Sequence, residues 1–200
     1  MKFLAIDTSG KTLSVVASGA REVITKEECG LRHSVRLMGA VDETLRKAEL
    51  KLPDCDLIAC VVGPGSFTGI RIGIAAAKGL SFSCDKPALS ITSFEALAYA
   101  VLYEKKLALV DAGHDFYYAS AFDGDKVAVP PAYIPRAEAE ALILSGYRPI
   151  AAEPLLIEAE TVDTAAGLLN AVKALSGRAA PASELRALYL RKSSAEENRK

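Results

Sequence analysis

The same pattern opens both halves of the chain. Residues 3–6 form an apolar run that ends at Asp7, and residues 107–110 form another that ends at Asp111. In each half a turn follows, and then residues typical of two further strands, at 13–17 and 22–27 and at 116–122 and 126–129. A constant offset pairs Asp7 with Asp111 and Leu13 with Tyr117. This duplication predicts two similar lobes with both aspartates facing a cleft between them. The alternative is that each aspartate only binds the amides of its own turn.

Helices and further strands are predicted after each triplet of strands. Strands are expected at 57–62, 88–91 and 149–152, and helices at 31–50, 68–84, 94–103, 135–145 and 161–176, with Ser93 as a helix cap. The first half therefore has the order β-β-β-α-β-α-β-α, and the second half is a shorter version of it. We expect an N-terminal lobe at 1–104, a smaller C-terminal lobe at 105–192, and a polar tail at 193–200.

Charge and cysteine usage narrow the function classes. The chain has 24 Lys and Arg against 25 Asp and Glu, for a net charge of −1, which disfavours a free-standing nucleic-acid binder. No apolar run reaches the length of a membrane span, so no membrane contact is expected. The four cysteines, Cys29, Cys55, Cys60 and Cys84, lack the spacing of a zinc site and are expected to be reduced thiols in a cytoplasmic protein.

A glycine-rich loop carries the most specific signal in the sequence. The segment 63–73 reads GPGSFTGIRIG and connects a buried strand to a long helix. Backbone N–H groups at a helix start suit an anion, and Ser66 or Thr68 is positioned to cap this one. It is not a P-loop, because Ile70 and Arg71 stand where that motif requires Lys and Ser or Thr. A tight turn without any ligand is the alternative interpretation.

The helix after this loop is rich in small residues. Gly69, Gly73 and Gly79 each cost the helix about 1 kcal/mol relative to alanine. Close packing of another helix on this face would offset that cost. The sequence leaves open whether that helix belongs to the same chain or to a second protein. If it belongs to a second protein, Gly73→Arg is predicted to block association and leave the chain folded.

These residues resemble the TsaB family of tRNA threonylcarbamoyladenosine (t6A) biosynthesis. The resemblance rests on the loop 63–73, the opening LAIDTS, the segment 32–34, the second-half Asp111-Ala112 with Tyr117, and the closing Tyr189-Leu190-Arg191. It implies an α/β fold of two lobes, the actin-like ATPase (ASKHA, RNase H-like) fold, with a duplicated β-β-β-α-β-α core and a reduced second lobe.

The resemblance also implies a function. TsaB-like chains bind and support the catalytic relative TsaD, together with the ATPase TsaE, in forming t6A at adenosine 37 of tRNAs that read ANN codons. The implied partners are TsaD in a heterodimer, TsaE, a second copy of the chain when TsaD is absent, and tRNA only through the complex. No cofactor is implied for the chain itself, although ATP or ADP could sit at the interface with the partner.

The metal-binding helix of TsaD can be compared residue by residue with this sequence. TsaD holds its metal through H-x-x-x-H, and Ser93 and Leu97 stand at those two positions here. Serine and leucine cannot replace two imidazoles on one helix face. The resemblance therefore implies a pseudo-enzyme with no catalytic residues and no metal site. An active ATPase or sugar kinase of the same fold, or a TsaD-like metalloenzyme, are the alternatives.

Two groups of site residues are carried over from the resemblance. The first group is expected to line the remnant of a nucleotide cleft: Asp7, Thr8, Ser9, Gly63, Pro64 and Gly65. The second group is expected to lie at the partner interface: Arg32, His33, Ser34, Met38, Gly69, Ile70, Arg71, Gly73, Ile74 and Ala77.

Overall fold

Two five-stranded sheets organise the protein, described here from a computed structural model over residues 1–28, 30 and 32–191. The first sheet contains β1 (Phe3–Asp7), β2 (Thr12–Ser18), β3 (Glu22–Glu28), β4 (Leu57–Val61) and β5 (Ala88–Ile91) in the order β3-β2-β1-β4-β5. The second contains β6 (Lys105–Gly113), β7 (Phe116–Asp123), β8 (Lys126–Pro135), β9 (Arg148–Ala151) and β10 (Glu160–Thr161) in the order β8-β7-β6-β9-β10.

The two sheets have the same topology, as the repeat predicts. β1 is antiparallel to β2 and parallel to β4, and β6 is antiparallel to β7 and parallel to β9. The predicted offset is correct for the aspartates but one residue out on the following strand. Asp7 lies opposite Ser14, whereas Asp111 lies opposite Tyr117, because the second turn is one residue shorter and a bulge lies between Asp111 and Gly113.

In the described part of the chain, five helices cover these sheets: α1 (His33–Lys47), α2 (Phe67–Cys84), α3 (Ser93–Ala98), α4 (Arg136–Leu144) and α5 (Thr164–Leu175). Short 3-10 turns lie at Leu52–Asp54, Ser176–Arg178 and Ala182–Glu184. α1 and α2 pack on one face of the first sheet, and α4 packs on one face of the second. Residues 152–159, between β9 and β10, contain no helix, so the counterpart of α2 is missing and the second lobe is reduced.

The helices α3 and α5 fill the space between the two sheets, and each packs on the sheet of the other half. Phe94 and Leu97 of α3 join Ala108 and Phe122 of the second sheet. α5 instead packs on β1, β2 and β5 of the first sheet. The predicted boundary at 104 separates the two sheets in chain order, but α5 and the segment after it pack on the first sheet.

Side-chain caps fix where two of the helices begin. α3 ends at Ala98 rather than at residue 103, and its cap is Thr92 rather than Ser93. The Thr92 side chain accepts from the Glu95 N–H while Glu95 accepts from the Thr92 N–H, which is a complete capping box. Ser66, one of the two predicted caps of α2, accepts from the Gly69 N–H. Cys29, residue 31 and the predicted tail at 193–200 lie outside the described residues.

The repeated sheet, in which three consecutive antiparallel strands are followed by strands parallel to the first, with helices on both faces, is the actin-like ATPase (ASKHA, RNase H-like) fold. Both faces of its central strand β1 are buried, with Leu4 and Ile6 on the side of α1 and α2 and Phe3 and Ala5 on the side of α5. A continuous apolar run is what a strand covered on two faces requires. This burial fixes the C-terminal end of β1, where the candidate site begins.

Candidate functional site

The turn after β1 and the glycine loop after β4 are in direct contact. The Ser66 N–H donates to the Ser9 carbonyl at 2.7 Å, and the Thr8 hydroxyl donates to the Gly69 carbonyl at 2.7 Å. The Ser93 hydroxyl donates to the Pro64 carbonyl at 2.6 Å from the start of α3. The structure therefore brings together residues predicted for a nucleotide cleft, and it bonds them to Ser66, Gly69 and Ser93 of the same chain.

The glycines of the loop are needed for this contact. A Cβ atom on Gly65 would lie 2.4 Å from the Ser9 carbonyl oxygen, and one on Gly69 would lie 2.0 Å from the Thr8 carbonyl oxygen. A Cβ on Gly73 would lie 2.4 Å from the Thr8 hydroxyl oxygen. Gly69 and Gly73 thus allow α2 to approach the β1–β2 turn, and neither of the two predicted helix–helix contacts accounts for them.

Asp7 lies beneath this turn and is almost completely buried. Its carboxylate accepts from the Ser9 N–H at 2.8 Å and from the Ser9 hydroxyl at 2.6 Å. Desolvation by burial raises the pKa of Asp7 above its ordinary value, although the Ser9 hydrogen bonds and the charge of His33 act in the opposite direction. The carboxylate is therefore held by its own turn, as the alternative interpretation of the sequence expects.

His33 connects this turn to the first long helix. Its Nε2 lies 3.0 Å from the carbonyl oxygen of Gly10, and the ring is buried. Nearby, Lys11 forms an ion pair with Glu153 of the second lobe at 2.5 Å. The turn after β1 therefore contacts α1 and α2 and also reaches the loop between β9 and β10.

The two positions compared with metal-ligating histidines are used in packing. Ser93 is buried and bonded to Pro64, and Leu97 is 1% exposed in the apolar cluster between α3 and the second sheet. Over residues 1–28, 30 and 32–191, no group of three or more His, Cys, Asp or Glu side chains is arranged to hold a metal ion.

The structure corrects half of the predicted partner interface. His33, Gly69, Ile70, Gly73 and Ala77 are buried within the chain and are therefore not accessible to a partner. Helical periodicity identified the helix but not its outward face, and the buried glycines were assigned to the wrong side. For the same reason, the expectation that Gly73→Arg leaves the chain folded is wrong.

The outward faces of α1 and α2 contain the predicted residues that remain accessible. Arg32, Ser34, Met38 and Arg71 are exposed, and Ile74 is partly buried against the core. Sequence reasoning missed several exposed apolar side chains on or near this face, namely Val35, Phe67, Phe82 and Tyr189. Val35 is 77% exposed and Phe82 is 66% exposed, which is unusual for apolar residues on amphipathic helices. The exposed apolar residues on the two helices could have been predicted from the sequence, because they fall on the side of each helical pattern that is otherwise polar.

Helix α2 presents this face as one continuous row. Arg71, Ala75, Gly79 and Phe82 are spaced by four, four and three residues, and all four are exposed. A Cβ on Gly79 would meet no atom within 4 Å. In contrast to the buried glycines of the same helix, Gly79 therefore faces open space. We call the exposed residues Val35, Met38, Arg71, Ala75, Gly79 and Phe82 the α1–α2 face.

The fold and the loop define a two-lobed α/β protein of the actin-like ATPase class whose predicted cleft residues form hydrogen bonds within the chain. A family model described as tRNA N6-adenosine threonylcarbamoyltransferase (TsaD) matches residues 23–174. The chain belongs to this family, and within it groups with the TsaB (YeaZ) proteins.

Relatives of known name and structure support this assignment. The tRNA threonylcarbamoyladenosine biosynthesis protein TsaB of Haemophilus influenzae is 35% identical over 132 residues, which are 64% of this chain and 56% of that protein. TsaB of Bacillus subtilis is 41% identical over 100 residues, 49% of this chain and 44% of that protein. The chain spans about half the length of the curated relatives it matches. A YeaZ structure from Pseudomonas aeruginosa superposes with a TM-score of 0.77 at 25% identity and covers 94% of this chain and 99% of that one.

No helix among the described residues is both long enough and apolar enough to cross a bilayer.

Proposed function

We propose that this chain is the non-catalytic subunit of a t6A-forming complex. It binds and supports a TsaD-type partner, which transfers the threonylcarbamoyl group to adenosine 37 of tRNAs that read ANN codons, and TsaE joins as a third subunit. In this proposal tRNA contacts the complex rather than the isolated chain, and any ATP or ADP lies at the interface with the partner.

The packing of α3 carries the non-catalytic part of this proposal. A metal-dependent transferase of this fold needs two imidazoles on the face where Ser93 and Leu97 stand. Here Leu97 fills the core between the lobes, and Ser93 bonds to the glycine loop. Both positions thus serve the contact between elements of the chain. Replacing them with histidines would remove packing as well as add ligands.

The α1–α2 face supports the partner-binding part. Four apolar or small residues, Val35, Met38, Ala75 and Phe82, lie exposed on two adjacent helices, with the open position Gly79 among them. Burial of apolar surface stabilises association by about 25 cal/mol per Å² before the costs of ordering are subtracted. Helices of a partner could pack closely on α2, because Ala75 has only a methyl group on this face and Gly79 has no side chain.

Reconstitution from purified components tests the function. The chain, TsaD and TsaE of the same organism are combined with threonylcarbamoyl-AMP, ATP and an ANN-decoding tRNA, and t6A is measured with each protein omitted in turn. We expect t6A only when TsaD is present, and a loss of multiple-turnover product when this chain is omitted. Formation of t6A by this chain alone would contradict the proposal, as would stoichiometric iron or zinc in the purified chain or ATP turnover by it in isolation.

A pair of glycine substitutions tests the docking face. Gly79→Arg places a long side chain on the α1–α2 face, where there is open space, so we expect a folded chain that no longer co-purifies with the TsaD-type partner. Gly177→Arg is the matched control, because a Cβ there also meets no atom within 4 Å and the residue lies outside this face. Equal recovery of the partner with both variants would show that the partner binds elsewhere.

A further inference from the structure

An exposed arginine at one end of the α1–α2 face is held in place from two sides. The guanidinium carbon of Arg71 lies 3.7 Å from the centre of the Phe67 ring, which is a close cation–π contact. The Arg71 Nε–H donates to the Tyr189 hydroxyl at 3.0 Å. The rings of Phe67 and Tyr189 are themselves in contact, with centroids 5.3 Å apart.

The segment that supplies Tyr189 is itself fixed to the core. The Leu188 N–H donates to the Val62 carbonyl at 2.8 Å, just before the glycine loop. The Leu188 side chain packs against both the first-sheet cluster and the cluster between the lobes. Tyr189 therefore reaches Arg71 from a fixed backbone, across 118 residues of sequence.

This arrangement leaves the two terminal nitrogens of the guanidinium available to a ligand. Of its donors, Nε is bonded to Tyr189, and no described residue accepts a hydrogen bond or forms an ion pair with the two terminal nitrogens. A planar guanidinium with both terminal nitrogens available matches the two oxygens of a carboxylate. Because two contacts already restrict the side chain, less rotamer entropy remains to be lost when such a ligand binds.

The surroundings of Arg71 favour a protein carboxylate over a nucleic acid. A nucleobase stacks on a free aromatic face, whereas Phe67 is already contacted by the guanidinium and by Tyr189. One turn along α2 the exposed residue is Ala75, and the same row ends at Phe82, so the row beyond Arg71 is apolar rather than basic. Tyr and Arg side chains at the edge of an apolar patch are instead the composition of a protein-binding hot spot.

We propose that Arg71, oriented by Phe67 and Tyr189, is the anchor of the partner interface and binds a carboxylate of the TsaD-type partner through its two terminal nitrogens. This inference rests on the proposed function and adds the group that the partner must present. Tyr189 is a positioning residue in this arrangement, since it acts on the partner only through Arg71.

Binding constants for the partner test this inference. We expect Arg71→Gln to raise the Kd at least ten-fold and Arg71→Lys to recover only part of the loss, because a lysine cannot form the planar fork. Tyr189→Phe removes only the hydroxyl acceptor and should raise the Kd two- to five-fold. In the Arg71→Gln background Tyr189→Phe should have no further effect. Arg136→Gln, on α4 of the second lobe, is the matched control and should leave the Kd unchanged.

Two further measurements separate the outcomes. If the wild-type chain fails to bind the TsaD-type partner, the proposed function fails. If it binds and the Arg71 variants bind equally well with unchanged thermal stability, only the present inference is overturned. Binding of a tRNA transcript to the isolated chain that is lost in Arg71→Gln, with partner binding retained, would assign the guanidinium to a phosphate instead. Finally, a double-mutant cycle with the acidic residues of the partner should show coupling to one carboxylate only.

Discussion

Asp7 and Asp111 occupy equivalent positions in the two halves, yet only one of them is buried. Asp7 ends β1 and Asp111 lies two residues before the end of β6. Each accepts a hydrogen bond from the backbone N–H two residues on, at 2.8 Å in the first half and 3.0 Å in the second. The local geometry is thus repeated. Asp7 is buried in the lobe where the glycine loop and α2 contact the two residues that follow it, whereas Asp111 is exposed in the lobe where residues 152–159 form no helix. The same turn can therefore be a buried structural element or a surface feature, depending on a distant segment.

The glycine loop is a second difference between the two lobes. Its glycine loop fills the end of the cleft, with Ser66 bonded to Ser9 and Ser93 bonded to Pro64. The loop and α2 therefore form one packed unit with the β1–β2 turn, and the opposite side of α2 remains available to a partner. The second lobe has no such unit among its described residues. It contributes α5 to the space between the two sheets, and none of its helices belongs to the α1–α2 face.

The largest expected effect comes from two glycines on the same helix. Gly69→Ala places a methyl group 2.0 Å from the Thr8 carbonyl oxygen, so we expect it to lower the free energy of unfolding by about 3 kcal/mol. Gly79→Ala meets open space and should raise it by about 1 kcal/mol through helix propensity. Urea titrations of both variants measure the difference. Equal stability of the two would mean that α2 does not approach the β1–β2 turn as described.

Removal of the N-caps of α3 and α5, which are equivalent helices in the two halves, should have smaller effects on stability. Thr92→Ala removes the capping box of α3, whose Glu95 also pairs with Arg178 at 2.5 Å, and should cost about 1.5 kcal/mol. Asp163→Ala removes the cap of α5, a half-exposed side chain, and should cost about 1 kcal/mol. Thr92→Ser and Asp163→Asn keep the capping oxygen and serve as controls in thermal unfolding. A larger loss of stability for Asp163→Ala than for Thr92→Ala would contradict this order, which we infer from the greater burial of the Thr92 cap.

The smallest effect is a pH dependence of stability that follows from the buried carboxyl group of Asp7. Because burial raises the pKa of Asp7, the folded chain holds this proton more tightly than the unfolded chain does. The wild-type protein should therefore lose stability relative to Asp7→Asn as the pH rises from 3.8 through the folded-state pKa. The measurement is the difference in unfolding free energy between the two proteins across that range. A difference that shrinks with rising pH would show that the Ser9 hydrogen bonds outweigh desolvation.

Much of the architecture could be predicted from the sequence because it depends on short segments. The strands and the turns after Asp7 and Asp111 follow from alternation, apolar runs and turn chemistry within a few residues. The loop 63–73 identified the family for the same reason, as one contiguous segment. The start of α3 was less predictable, since a capping box over the four residues from Thr92 to Glu95 makes Thr92, and not Ser93, the cap.

The site residues were predicted less well, because their roles depend on contacts between distant segments. Thr8 and Gly69 are 61 residues apart, and their hydrogen bond decides that Gly69 and Gly73 face inward. The helical periodicity of α2 places Gly79 on a different side from those two glycines, but it does not indicate which side packs inward. The exchange of α3 and α5 between the sheets was equally hidden, because both helices are apolar on the side that packs.

By itself, the sequence determined the repeated strand pattern, the carboxylate at the end of each central strand and the family of the glycine loop, since these are written into residues that are neighbours along the chain. Only the tertiary structure decided that Asp7 is covered while Asp111 is not, which side of α2 is outward, and that Tyr189 orients Arg71. The physical reason is that burial and pairing depend on which remote segment fills the space beside a residue, and local preference carries no record of that segment.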